Sequence, residues 1–234
     1  LTFPESVVRL NVDLENIGVV IPAFNAEKTI GALVTEIIKQ GFRSKDIIVV
    51  DDGSCDRTGE IVRGFGVTHI SHKKNIGKGA TLKHGFNVAH EKSFEWVFTL
   101  DADGQHRVSE IGQFLQHKDE FDVIVGYRHD MQSMPFLRRL VNRTTSLVVS
   151  LLAGSYLLDV QCGFRLINLA IFEKIHLRTN NYQTESEMIV RAARLKNRIG
   201  SIPITTVYNK ERSYINPVVD TLRFIKMAAG FLWR

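Results

Sequence analysis

Cysteine is nearly absent from this 234-residue chain, which has only Cys55 and Cys162, each in a polar or glycine-bearing loop motif. That excludes a disulfide framework, predicts two free thiols and favours a reducing compartment. Long hydrophobic runs are missing too. No uninterrupted apolar stretch reaches the roughly 18 residues of a spanning helix, so the chain as given is not expected to cross a bilayer. It shows no signal-peptide pattern and begins at Leu1 rather than Met, so a trimmed piece of a longer protein is expected. Repeats, long polar tracts and linker-like stretches are lacking, which sets aside solenoids and disordered chains. With 44% hydrophobic and 24% charged residues, one large globular domain over 1–234 is expected. A formal net charge of +5 suits anionic partners such as phosphates, nucleic acid or an acidic lipid surface, without choosing among them.

What is present, from Ile17 onward, is an alternation of β-branched runs with helical periodicity. Strands are predicted over 18–21 and 47–50 around a helix over 26–40. A helix near 56–63, a short strand near 67–70, a helix near 79–90 and a strand at 95–100 follow. This βαβ succession gives an α/β fold with a mostly parallel sheet flanked by helices. The second half is less regular: strand 122–126, long helix 135–154, strand 163–168, helix 184–196, strand 199–207 and a last amphipathic helix at about 217–231. The runs before Asp51 and Asp101 are continuously apolar, as strands covered on both faces are. Ligands of open α/β sheets sit beyond the carboxyl ends of the strands, where the polar clusters 22–27, 51–56 and 101–106 fall.

Asp101 and Asp103 stand two residues apart where a strand runs out, so both carboxylates can point one way, and Gln105 continues the spacing. Mg2+ or Mn2+ takes oxygen ligands and shares them between a few carboxylates and a substrate's phosphates, which this pattern suits. A pair of solvated loop aspartates is the plainer alternative. Asp51-Asp52-Gly53-Ser54 follows another buried strand, where a carboxylate can accept from a nucleobase or ribose, or cap the next helix. Asn25 and Glu27, beyond Pro22, offer the same choice. In Asn75-Ile76-Gly77-Lys78-Gly79 the lysine stands at a helix start, a place for a cation beside phosphate. It is not a Walker loop, because Gly79 follows Lys78.

Five motifs in order resemble the family 2 glycosyltransferases of the glycosyltransferase A fold, most closely the dolichyl or polyprenyl phosphate mannose synthase type. They are Val20-Ile21-Pro22-Ala23-Phe24-Asn25, Ile48 to Ser54, Asn75 to Gly79, Leu100 to His106, and Asp159-Val160-Gln161-Cys162-Gly163-Phe164-Arg165, and the resemblance runs over 17–215. It implies a nucleotide diphosphate sugar donor, GDP- or UDP-linked, with Pro22, Ala23, Asn25, Glu27 and Asp52 on the nucleoside. Lys78, Asp101 and Ala102 would also face the donor, and Asp101, Asp103 and Gln105 would hold the metal. Gly126-Tyr127-Arg128 is similar to the family's Gly-Ser-Arg segment. Arg128, Arg138, Asn142 and Arg212 would grip an acceptor phosphate, and Asp103 and Asp159 are the implied catalytic acids. The family's Asp-Pro-Thr-Ser-Gly-Phe-Arg is altered between Asp159 and Gly163, and Asn142 replaces a serine. The Gln-x-x-Arg-Trp motif of processive polysaccharide synthases is missing.

A hydroxyl acceptor needs a general base, for which Asp159 or Glu187 is available. A lipid phosphate is already anionic and needs arginines for positioning, and Arg128, Arg138, Arg143 and Arg212 supply them. The expectation is an inverting single displacement onto a polyprenyl phosphate, at the cytoplasmic or inner face of a membrane, with no nucleic-acid partner. The helices at 135–154 and about 217–231 combine apolar residues with arginine or lysine and can each lie on a membrane or pack as core. Transfer to a sugar hydroxyl and non-catalytic nucleotide-sugar binding stay open. A nucleotidyltransferase would place a glycine-rich loop after the first strand, and Pro22-Ala23-Phe24-Asn25 has no glycine.

Overall fold

The unbroken β-branched runs form the centre of the sheet. In the computed structural model, which describes residues 14–129, 134, 136–207 and 216–232, β1 (Ile17–Ala23) lies parallel to β2 (Ile47–Asp51), with Ala23 opposite Asp51. On its other side β1 pairs in parallel with β4 (Trp96–Thr99), and β2 pairs in parallel with β3 (Thr68–Ser71). Every residue of β2 and β4 is buried, as expected for strands covered on both faces. The second half adds β5 (Val123–Arg128), β6 (Arg165–Asn168) and β7 (Ile199–Ile204), giving the order β3-β2-β1-β4-β6-β5-β7. The sheet is mostly parallel as expected. The exception is β6, antiparallel to both β4 and β5.

The helices are α1 (Ile30–Lys39), α2 (Thr58–Arg63), α3 (Lys78–Glu91), α4 (Ile111–Gln116), α5 (Phe136–Ala153), α6 (Gln183–Arg194) and α7 (Pro217–Leu232). α3 packs on β1 and β2, and α5 packs against α6 and α7. An aromatic cluster ties the two halves together beneath the rim: Phe98 meets Phe42 and Phe114 edge-on, and Phe114 stacks on Phe164 at 4.4 Å. No helix among the described residues is long and apolar enough to cross a membrane.

Two boundaries depart from the sequence reading for local reasons. The first helix starts at Ile30 rather than at 26: the Thr29 N–H closes a tight turn onto Ala26 O, and side chains between Ser54 and Thr58 hold the N–H groups that lead into it. Ser54 accepts from Asn25, Thr58 from Ala26 and Asp56 from Glu27. The last strand ends at Ile204 rather than at 207, because the Glu110 carboxylate accepts the Thr205 N–H; Thr206 then bridges to His106 and Val207 donates to Gln105 O. α4 and the 3-10 turn Val108–Glu110 before it were not anticipated.

Candidate active site

The carboxyl ends of β1, β2 and β4 open into a cleft of about 870 Å³. Its polar end is built from the three clusters picked out in the sequence, with Pro22, Ala23, Asn25, Asp52, Lys78 and Asp101 to Asp103 among its lining residues. Leu140, Val141 and Val148 from α5 and Phe224 and Ile225 from α7 add apolar surface to its wall, interspersed with Thr144, Thr145, Asp220, Thr221 and Arg223 of the same helices.

β4 stops at Thr99, so Asp101 and Asp103 lie in a turn rather than on a continuing strand. The turn is fixed from both sides: Thr29 donates to Ala102 O at 2.5 Å, and the Gln105 N–H donates to Asp103 Oδ1 at 3.0 Å. Asp101 fits only because Gly163 lacks a side chain, since a Cβ there would collide with its carboxyl. The two acids have unlike surroundings. Burial raises Asp103, and the neighbouring Asp101 charge adds to it, leaving it at about 6. Burial also works against ionised Asp101, but Lys78, His106 and Arg165 together outweigh it, so Asp101 stays below the usual carboxylate range. Two adjacent acids of which one is driven toward protonation form a site that a divalent cation would relieve. Among the described residues no three His, Cys, Asp or Glu side chains come together, so a cation here would draw its other oxygens from Gln105 and the substrate. His106 closes the turn, buried among charges, lowered to about 4 by burial, with its Nδ1 lacking a hydrogen-bond partner.

Lys78 is the first residue of α3 and its ammonium sits between two acids, 2.7 Å from Asp101 Oδ1 and 2.9 Å from Glu185 Oε2. Glu185 is in turn 3.2 Å from Arg165, a fully buried guanidinium that also donates to the carbonyls of Cys162 and Val160. Gly79 permits this approach of α3 to α6, because a Cβ would meet the Thr184 side chain. Sequence reading missed Glu185. A first-turn acid of a helix reads as an ordinary exposed residue, whereas this one is buried.

Asp52, expected on the nucleoside, lines the cleft but is already engaged. It accepts the N–H groups of Ile76 and Gly77 at 3.0 and 2.9 Å and lies 2.8 Å from His72 Nδ1. Asn25 has a positive φ of 49° and accepts the Cys55 N–H. Glu27 lies outside the cleft lining and holds Arg57.

The residues expected on the acceptor side divide. Asp159 and Arg128 form a buried two-pronged ion pair at 2.6 and 3.0 Å, and the Asn142 amide donates to the same carboxylate at 3.0 Å. Burial opposes charge on Asp159, but these bonds hold it below the ordinary range. Arg138 is exposed on the cleft wall, close enough that its charge acts on Asp103. Arg212 lies outside the described residues. Glu187, the other candidate base, is consumed by Arg178 N, Thr179 and Arg191.

The sequence matches the family profile described as Glycosyl transferase family 2 over residues 18–182. It is 31% identical over 219 residues to UDP-N-acetylglucosamine--dolichyl-phosphate N-acetylglucosaminyltransferase of Methanococcus voltae, covering 83% of this chain and 86% of that one. To undecaprenyl-phosphate mannosyltransferase of Micrococcus luteus it is 26% identical over 200 residues, covering 80% and 82%. Among solved structures, glucosyl-3-phosphoglycerate synthase from Mycobacterium tuberculosis in complex with Mg2+ and uridine diphosphate aligns with a TM-score of 0.72. That alignment spans 92% of this chain and 78% of that one at 18% identity, a likeness of fold.

Proposed function

The chain belongs to glycosyl transferase family 2, and from that premise we propose that it transfers a sugar from a nucleotide diphosphate to the phosphate of a polyprenyl lipid, with inversion at the anomeric carbon. The fold is glycosyltransferase A. One observation carries the choice of acceptor: the same cleft that holds the acids takes an apolar trough of its wall from Leu140, Val141 and Val148 of α5 and Phe224 and Ile225 of α7. A soluble sugar has no use for that trough, whereas a long isoprenoid does. The names of the dolichyl-phosphate and undecaprenyl-phosphate relatives support the same reading.

The carboxylates along the cleft agree with it. Asp52 is held by backbone N–H groups, Asp101 and Glu185 by Lys78, and Asp220 by Arg223 and the Asn216 N–H. Asp103, with one backbone donor, is the acid with the loosest hold, and it belongs to the proposed metal pair. Among the described residues no carboxylate of the cleft is therefore set aside for deprotonating a hydroxyl. A phosphate monoester, with a second pKa of about 6, is already an anionic nucleophile. It needs only to be held in line with the anomeric carbon.

Pro22, Ala23, Asn25 and Asp52 then form the nucleoside end, with Glu27 bracing that loop from behind through Arg57. Asp101, Asp103 and Gln105 would hold Mg2+ or Mn2+, which when bound supplies positive charge to the departing diphosphate. The Mg2+ and uridine diphosphate of the structural neighbour accord with this. Arg138 faces the acceptor phosphate, Arg128 is aimed by Asp159 and Asn142, and Arg212 is assigned with them. Leu147, Leu151, Val218, Leu222 and Leu232 expose apolar surface on α5 and α7, with Arg143 and Lys226 exposed beside them. This face is proposed to rest on the cytoplasmic leaflet, peripheral to the membrane.

The test is incubation with a panel of GDP- and UDP-linked sugars, Mn2+ or Mg2+, and either polyprenyl phosphate or soluble sugar acceptors. A lipid phosphodiester of inverted anomeric configuration is expected. Transfer to hydroxyl acceptors alone, or retained configuration, overturns the proposal.

A further inference from the structure

Lys78 occupies the position next to Asp101 that gives a resident cation first claim on the acid proposed to hold the metal. We infer that Glu185 is a positioning residue that sets how readily the Asp101–Asp103 pair accepts a divalent cation, acting through Lys78; this rests on the metal reading above. The geometry separates a fixed part from a movable one. Glu185 is anchored, because its second oxygen faces Arg165 at 3.2 Å, and Arg165 is tied to the carbonyls of Val160 and Cys162. The start of α3 is anchored too. The Gly77 N–H donates to Asp52, the Ala80 N–H donates to Asn180 O, and Gly79 lies against Thr184. Only the four-carbon side chain of Lys78 is left to shift between its two acceptors.

A divalent ion arriving at Asp101 meets a like charge whose nitrogen is 2.7 Å from Asp101 Oδ1. At a separation of about 5 Å, even at the dielectric constant of water, a +1 and a +2 charge repel strongly enough to change an affinity about tenfold or more. Glu185 lowers that barrier by offering the ammonium an acceptor 2.9 Å away that does not depend on Asp101. Without the Glu185 charge, the lysine leans wholly on Asp101 and the ion must displace it completely.

Mn2+ titration of the nucleotide-free protein, with free Mn2+ followed by electron paramagnetic resonance, reads this directly and requires no turnover. Lys78→Met is expected to bind Mn2+ about tenfold tighter than wild type, and Glu185→Gln about threefold weaker. The double variant should match Lys78→Met within about twofold. If Glu185→Gln weakens Mn2+ equally in both backgrounds, its charge acts on the ion directly and the positioning role is wrong. If Lys78→Met leaves the affinity unchanged while Asp101→Asn abolishes binding, the inference fails and the metal reading stands. Absence of Mn2+ binding in both wild type and Lys78→Met overturns both. Thermal unfolding of each variant checks folding; should Glu185→Gln not fold, Glu185→Asp, which keeps the charge but shortens its reach to Lys78, takes its place with the same weakening expected in the wild type and not in Lys78→Met.

Discussion

Asp159 was expected among the catalytic residues, available as a general base, yet its carboxylate is buried and spent on Arg128 and Asn142. Asp159→Asn should therefore injure the fold before it injures the chemistry. The substitution keeps the size of the side chain but removes the charge facing a guanidinium that is itself only 8% exposed. Breaking one side of such a buried pair costs about 3–5 kcal/mol. In a chain of this size each kcal/mol is worth about 2–4 °C, so the unfolding midpoint should fall by roughly 6–20 °C. Urea and thermal unfolding at neutral pH measure this. Replacing both partners, as Arg128→Met with Asp159→Leu, should recover much of the loss, because apolar side chains of similar volume avoid burying charge. The pair also sets a pH limit. The Asp159 carboxyl is held below its ordinary value, so its contribution is full above about 3.9 and is lost as pH falls through the lower folded value. Asp159→Asn should lack that acid-side decline. A variant within about 1 kcal/mol of wild type that has lost all transfer would refute the reasoning and restore Asp159 as a base.

Asp103→Asn should reduce sugar transfer about a thousandfold, the size expected when several kcal/mol of charge stabilisation are withdrawn, as read from labelled lipid product; near-normal transfer would remove it from the metal pair. Glu187 is lowered despite burial by its bonds to Thr179, Arg178 and Arg191, so it stabilises the fold above about pH 4.3 and stops doing so as pH falls through its depressed value. Glu187→Gln should flatten the acid limb of a urea-midpoint profile and lower the neutral midpoint; an unchanged profile would mean that the 178–179 loop is not held this way. Leu151→Lys, on a side chain 75% exposed, should reduce flotation with vesicles of zwitterionic lipid severalfold without shifting the melting midpoint, and unchanged flotation would count against α5 as a membrane face.

The first half, with its acid-bearing rim, was legible because its signals are local. Continuous apolar runs before Asp51 and Asp101 mark strands covered on both faces, and a parallel sheet necessarily brings their carboxyl ends to one rim. The direction of β6 was not legible, since nothing in a four-residue strand such as Arg165–Asn168 encodes its pairing partner. The partnerships of charged residues were equally hidden. Lys78 and Glu185 are 107 positions apart, and only the close approach of α3 to α6 at Gly79 brings them together. The Asn75–Gly79 loop was read for Lys78 as a cation beside phosphate, and the part of Gly79 in packing α3 against α6 was not anticipated.

The reversed β6 has a consequence for how such a chain can change over time. Because it runs against its neighbours, the loop that leads into it, from Asp159 to Phe164, meets the ends of β4 and β5 at the same rim. On the proposed reading, nucleotide contacts thus fall in the segments up to His106, while the apolar wall and the arginines Arg128 and Arg138 fall in β5, α5, the β6 loop and α7. Substitutions that refit the chain to another acceptor can accumulate on one side of this seam while the donor side is kept. The exceptions are Arg165 and Glu185, through which the later half reaches back across the seam to Lys78.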